Sequence, residues 1–579
     1  MSLQALLIAL TLTSLLLLIP TTTACKDLIA IGPATKGDYN LLLKVRDPSR
    51  PGPQVLVKIP QGYQYTYYTP WIGRPLLFTV HHAFIGVASA NDTPPNIIKA
   101  GMALTDAGIA FGDADTGSNW KNPSPYAWDD FDCLRYSYQT ANTTQDAITL
   151  LTQTTTSLHA TSVSENLFVV GPTDATLIET DAAHTHTTPI TSLSAMTNAP
   201  NALWQTQRLK TRALATAFND TLETWAHRGS TLHLGSWCGI QITHIGTDNI
   251  RIRPVPAPYF LLSSNIRTAT TIPLYDSAVI GGYHVTLQDL NATHAKIRLS
   301  IAYADWTTEV TSKMQERCGA ITTEDFMNWS RLHTEDLGGL RPLCEDAVTY
   351  EAAMIFQIPT TNASTTSSAW FSPNHACTSI YVPVHVSDTR IDDRYTTPEA
   401  ADLSRYLLTC YGHGTLSTVF HRTERIFLQE NARLETLATH LPATNATLLL
   451  TAGDTGAQHQ AFQTEYLWSI LNDYSHDSHY PLLCTELESL WNATYNQSLQ
   501  NMNATVNLLQ DYHPLTRQIA LLAATIVNTT LHTITYQGIN IPQPIYDLYY
   551  QGLDDINNGQ ITTGVAILLQ VYEMIQDLQ

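Results

Sequence analysis

Three consecutive stretches decide how this chain is read: Cys25-Lys26-Asp27-Leu28-Ile29-Ala30-Ile31, Gly32-Pro33-Ala34-Thr35-Lys36-Gly37-Asp38 and Tyr39-Asn40-Leu41-Leu42-Leu43-Lys44-Val45. The first and third are short apolar runs, and the second is made of turn formers. Strand, turn and strand in that order predict a β-hairpin. Its turn centres near Thr35–Lys36, and residues equally far from the centre of an antiparallel pair face each other. Cys25 lies about eleven residues before the centre and Asp47 about eleven after, so their Cβ atoms are expected roughly 5 Å apart. A slip of one residue would undo that pairing.

What precedes Cys25 gives the hairpin its chemical interest. Ala5 to Pro20 is apolar, and Thr21-Thr22-Thr23-Ala24 supplies small residues before the cysteine. A short apolar run followed by small residues predicts a secretory leader, residues 1–24, although the usual positive start is missing. Cleavage after Ala24 would give Cys25 its own α-amine. An α-amine titrates near ~8 and a thiol near ~8.5, so the amine can take the thiol proton without a histidine. The thiolate would attack an amide carbonyl, Asp47 would orient the amine, and backbone N–H groups with a side-chain amide would hold the oxyanion. The competing readings of Cys25 are a disulfide cysteine and a lipid-modified one.

The segment from Cys25 through Lys44-Val45-Arg46-Asp47-Pro48 to Gln54-Val55-Leu56-Val57 resembles the start of the dipeptidase/secernin family of N-terminal-nucleophile hydrolases, relatives of choloylglycine hydrolase and acid ceramidase. Lys44, Asp47 and Gln54 fall on that family's positions. Gly101 to Asp113, Glu165 to Thr180 and Thr322 to Val384 resemble later family blocks in the right order. The resemblance implies a four-layer αββα sandwich, and places Asn166 on the catalytic asparagine, Lys44 against the thiolate or substrate, and Thr105 where an asparagine is expected. Val45, Thr105, Asp113 and Gly171 depart from the pattern. A threonine hydroxyl can donate one hydrogen bond with shorter reach, whereas an ionised Asp113 donates none.

The rest of the chain fits an exported α+β protein. Its 579 residues are 44% hydrophobic and 14% charged, with net charge −20 and no basic run. That composition speaks against disorder and against a nucleic-acid partner. Sequons begin at Asn91, Asn142, Asn219, Asn291, Asn328, Asn362, Asn445, Asn492, Asn496, Asn503 and Asn528, as a secreted glycoprotein would carry. None of the 8 cysteines forms a CxxC pair, and neither His81-His82 nor His184-Thr185-His186 has a carboxylate or cysteine at ligand spacing, so no metal and no cofactor is expected. A membrane is expected as a partner only through an uncleaved leader.

Short strand patterns continue to about Thr180, interrupted by one helix within Ser124 to Thr152. Ala182 to Pro200 reads as loop and Ala202 to Trp225 as helix; strands follow at Gly239 to Ile245 and His284 to Leu287, and Thr322-Thr323-Glu324-Asp325 as a capped helix start. From about Phe427 the pattern turns to long helices, including Glu465 to Asn472, Thr485 to Asn507 and Thr516 to Thr533. The expected organisation is a hydrolase domain over 25–426 and a helical region over 427–579 packed on it. The expected activity is amide hydrolysis, with a small peptide as leading substrate and an N-acyl amide as second. An inactive glycosylated surface or binding protein is the non-enzymatic alternative, suggested by the departures.

Overall fold

The computed structural model describes residues 25–47, 52–68, 75–93, 99–116, 128, 130–156, 164–207, 215–235, 238–255, 269–347, 349–471, 508–536, 539–576 and 578. These divide into two units: the first takes residues up to 51, 59–346 and 355–363, the second 52–58, 347–354 and 364–579.

In the first unit β1 (Lys26–Ala30) and β2 (Tyr39–Arg46) form the expected hairpin, with Lys26 opposite Val45 and Ala30 opposite Leu41. Its connection is held by side chains. Gly32 sits at φ +56°, where a residue without Cβ is at ease, and donates its N–H to Asn40 Oδ1 at 2.9 Å. The Thr35 hydroxyl reaches the Tyr39 carbonyl at 2.8 Å. β3 (Gln54–Ile59) belongs mostly to the second unit, and β4 (Gln64–Tyr68) and β5 (Pro75–Thr79) make a separate ribbon.

The second large sheet of this unit takes the order β6 (Phe84–Ser89), β7 (Ala100–Thr105), β8 (Ala110–Thr116), β9 (Ser164–Val170), β10 (Ala175–Thr180) and β11 (Thr185–Ile190), each antiparallel to the next. β12 (Leu193–Thr197) joins the other sheet, pairing with β1 so that Thr197 faces Lys26. The two sheets lie face to face: a Cβ built on Gly112 of β8 would come within 3.2 Å of Asp27 Oδ1 and 3.8 Å of Leu42. Helices cover the outer faces. α1 (Asp130–Thr140) and α2 (Thr144–Thr156) pack on β7 to β10, and α3 (Ala302–Gln315) packs on β12. Covered on both sides, β1, β7, β9 and β10 are buried along their whole length. The architecture is α+β, layered helix, sheet, sheet, helix.

Beyond β12 the first unit adds two four-stranded sheets. β13 (Thr221–His227), β14 (Thr231–His233), β15 (Gly239–Ile245), β16 (Asn249–Val255), β17 (Thr270–Pro273), β18 (Ser277–Ile280), β19 (Tyr283–Leu290) and β20 (His294–Ile301) are ordered β13-β20-β19-β18 and β14-β15-β16-β17. They enclose a core that includes Ile240, Ile252, Val285 and Leu299. α4 (Thr323–Trp329) begins at the expected cap, with Thr322 and Asp325 bonding each other's N–H groups.

Three local expectations are corrected. Ala182 to Pro200 is not loop but holds two strands, β11 at the edge of one sheet and β12 in the other. Its threonines, histidines and Pro189 read as turn composition, yet β11 is an exposed edge strand, where such residues are tolerated. Within Ala202 to Trp225 the described residues hold a helical turn at Trp204–Gln207 and then β13, whose exposed and half-buried residues alternate as a strand's do, while residues 208–214 lie outside the described residues. The single helix within 124–152 is two, α1 and α2, broken at Ala141-Asn142-Thr143. Residues 124–127 lie outside the described residues.

β21 (Ala352–Pro359) has residues in both units, while β22 (Ser368–Ser372) and β23 (Val382–His385) pair antiparallel inside the second. Against β23 lie α6 (Ser417–Ala438) and α7 (Ala443–Leu471), which follow α5 (Glu399–Tyr411). Helices thus begin ahead of Phe427. Carboxylates on them receive main-chain donors: Glu465 accepts the Ile380 N–H at 2.6 Å and Glu424 that of Tyr381 at 2.8 Å. α8 (Leu508–Tyr536), α9 (Gln543–Asn557) and α10 (Ile561–Gln576) complete the unit. α9 and α10 cross closely at two glycines, since a Cβ on Gly564 would stand 2.5 Å from the Gly552 carbonyl. The helix expected over 485–507 lies outside the described residues. None of the described helices is long and apolar enough to cross a membrane.

Candidate active site

Successive side chains of a strand leave opposite faces, so the β1–β2 ladder sorts its charged residues into two groups. Asp27 and Lys44 are directly opposite each other, point towards β8 and are both fully buried. Cys25 immediately precedes β1, and its carbonyl accepts the Thr197 hydroxyl at 3.2 Å. Lys44 Nζ stands 3.5 Å from Asp27 Oδ2 and 3.5 Å from Asp113 Oδ1, donates to the Asp113 carbonyl, and lies within hydrogen-bonding reach of the Cys25 sulfur.

Burial sets the proton affinities here, and the charges modify it. It pushes the Cys25 thiol up to about 11; Lys44 opposes this, while Asp113, Asp115 and Asp27 add to it. Burial likewise raises Asp27 to about 8 against the pull of Lys44. For Lys44 burial favours the neutral amine, but Asp27, Cys25 and Asp113 outweigh it and hold the ammonium. A cation therefore sits beside the sulfur under acidic surroundings. Asp113, Asp115 and Glu165 bring oxygens within 4.8 Å of one another beside it, the only carboxylates in this unit's described part grouped so tightly that they could hold a cation.

Asn166, on β9 opposite Ala114, donates its amide to the Thr197 carbonyl at 2.8 Å and to that of Ala199 at 3.1 Å. Because both neighbours are acceptors, the amide orientation is fixed. Its Oδ1 is buried with no hydrogen-bond partner among the described residues. As placed, Asn166 offers an acceptor, and both bonds would have to open before it donated to an oxyanion.

Asp47 is not opposite Cys25. The register pairs residues whose numbers sum to 71, so the continued ladder matches Cys25 with Arg46 and puts Asp47 on the other face. There Asp47 Oδ2 lies 3.5 Å from Lys26 Nζ and 3.5 Å from Arg341, and Glu345 binds both cations. Burial raises Asp47, whereas Lys26 and Arg341 overcome burial to bring Glu345 down to about 2. Thr105 is also set apart. Gly101, at the start of β7, faces Asp113, and Thr105 closes the strand's far end, on the order of 13 Å away. Its hydroxyl is spent on the backbone of Ile109 in its own turn.

Sequence reasoning passed over Asp27, Asp115, Glu165, Arg341 and Glu345. A signal for Asp27 was present: a Lys-Asp pair opening an apolar strand must be compensated when the strand is buried. Of the histidines named from sequence, His82 pairs with Asp106 at 2.6 Å and His184 with Asp181 at 3.0 Å. Cys318 is an exposed thiol, and Cys484 lies outside the described residues.

No family profile matches the chain, and no curated protein does. Among solved structures it is similar to a mutant conjugated bile acid hydrolase from Clostridium perfringens, at 10% identity and TM-score 0.33, over 62% of this chain and 92% of that one. It is also similar to a penicillin V acylase from Agrobacterium tumefaciens, at 11% identity and TM-score 0.30, over 64% of this chain and 87% of that one. Likeness of this size leaves the fold to be read from the chain's own sheets.

Proposed function

We propose that this chain is an exported amide hydrolase whose nucleophile is Cys25, freed as the first residue when the leader is removed, and that it acts on dipeptides or other small peptides. The observation that carries this reading is the contact between the Cys25 sulfur and the Lys44 ammonium at the open end of β1. A thiol held at about 11 stays protonated at neutral pH, so attack on a carbonyl needs a base at the sulfur. The α-amine of a terminal Cys25 is that base, two bonds from the Cβ that bears the thiol. Lys44 stabilises the thiolate as the proton leaves. In the first step sulfur bonds to the carbonyl carbon, the C–N bond breaks, and the amine's proton goes to the leaving nitrogen. Water then releases the acid and restores the thiol.

The acidic group of Asp113, Asp115 and Glu165 favours a substrate with a positive end, as the α-ammonium of a small peptide provides. This supports peptides over N-acyl amides. Purified mature protein should hydrolyse dipeptides, and Cys25→Ala should lose turnover by more than ~10⁴-fold together with labelling by a thiol probe. Turnover of acyl-amides alone would move the substrate class to the second reading. Full turnover by the Cys25→Ala protein would end both.

A further inference from the structure

The second unit holds a cluster that the hydrolase reading does not use. His385 ends β23, Asp388 follows in the next turn, and Asp454 lies on α7. All three are buried, at 0%, 2% and 1% exposure. The His385 N–H donates to Asp454 Oδ2 at 2.7 Å and to Asp388 Oδ2 at 3.0 Å, and His385 Nδ1 lies 2.7 Å from Asp454 Oδ2. One ligand atom from each residue falls within 4.8 Å of the others. The second oxygens, Asp388 Oδ1 and Asp454 Oδ1, are buried with no hydrogen-bond partner among the described residues. Unmet oxygens of this kind are costly unless a proton or a cation lies between them.

We propose that His385, Asp388 and Asp454 bind one divalent transition-metal cation. An imidazole with two carboxylates suits zinc or manganese better than calcium or magnesium. Glu435, 3.3 Å from His385 Nε2 and fixed by Asn431 at 2.7 Å and Ser368 at 3.2 Å, orients the ring from behind as a carboxylate does at metal-bound histidines.

Asp388, Asp454 and Glu435 gather here beside one nearby ammonium, that of Lys58, which donates to the Val386 carbonyl at 2.7 Å, so carboxylates outnumber fixed cations and a divalent cation would offset the surplus.

The test uses the full-length protein. Metal content is measured on the purified protein, and chelator-treated protein is then titrated with Zn²⁺ and Mn²⁺ by calorimetry. The expected result is one saturable site per chain, with affinity reduced at least ~10-fold in Asp388→Asn. Asparagine matches the carboxyl in size and shape, so that variant should fold, which circular dichroism checks. No saturable binding by the unaltered protein, or equal binding by Asp388→Asn, overturns the proposal. Neither outcome touches the Cys25 reading.

Discussion

The two faces of the β1–β2 hairpin carry the same kinds of residue and differ in balance. On the face away from β8, Lys26 and Arg341 meet Asp47 and Glu345, two cations against two carboxylates, with contacts closing in every direction. On the face towards β8, Lys44 meets Asp27 and Asp113, Arg46 also acts on Asp113, and Asp115 and the thiol are close by. The first network balances its charges. The second leaves acid in surplus and a cation against sulfur. Adjacent residues in one strand, Lys26 and Asp27, thus serve different ends because a strand sends them to opposite sides.

Breaking each face should separate stability from chemistry. Lys26→Met removes a fully buried ammonium from an ion network and should lower unfolding stability by about 3–5 kcal/mol, read from urea unfolding. The pH profile of Cys25 alkylation should barely move in the folded protein. Lys44→Met should do the reverse in emphasis: turnover should fall about 100-fold or more and the alkylation profile should shift to higher pH, because the thiolate loses its cation. If the two variants gave the same alkylation profile, the distinction between the faces would be lost.

A finer difference concerns pH. Asp27 is raised by burial to about 8, above its unfolded value, so the protonated form favours the fold. Its contribution is fully present below the ordinary carboxylate range and is lost as pH rises towards 8. Asp27→Asn should therefore flatten the fall in unfolding stability between pH 5 and 9, read from urea unfolding, by up to about 4 kcal/mol. An unchanged slope would remove Asp27 as its source. Smallest of all, Thr105→Val should change turnover less than about 3-fold, since its hydroxyl serves a turn at the far end of β7, and should cost about 1 kcal/mol of stability.

Much of this arrangement was legible in the sequence. Apolar runs around Gly32 to Asp38 announce the hairpin, and its centre near Thr35–Lys36 agrees with the observed register. The partner of Cys25 was missed by one residue, because counting outward from a turn tolerates such an error and alternation does not. Asn166 was placed near Thr197 and Cys25 only by folding: its neighbours come from β12, a strand hidden in a Thr-rich stretch that reads as loop. Arg341 and Glu345 lie some three hundred residues from Asp47, and no local pattern ties them to it. The His385 cluster was invisible for the same reason, with Asp454 supplied by a helix whose polar residues suggest only a solvated face.

The central claim is that Cys25 acts with its own amine. Mass spectrometry of the N-terminal peptide from the mature protein tests it most directly. The expected peptide begins at Cys25 with a free α-amine and a free thiol. A mature chain that begins at any other residue, or an amine or sulfur there found acylated or bridged, would contradict it.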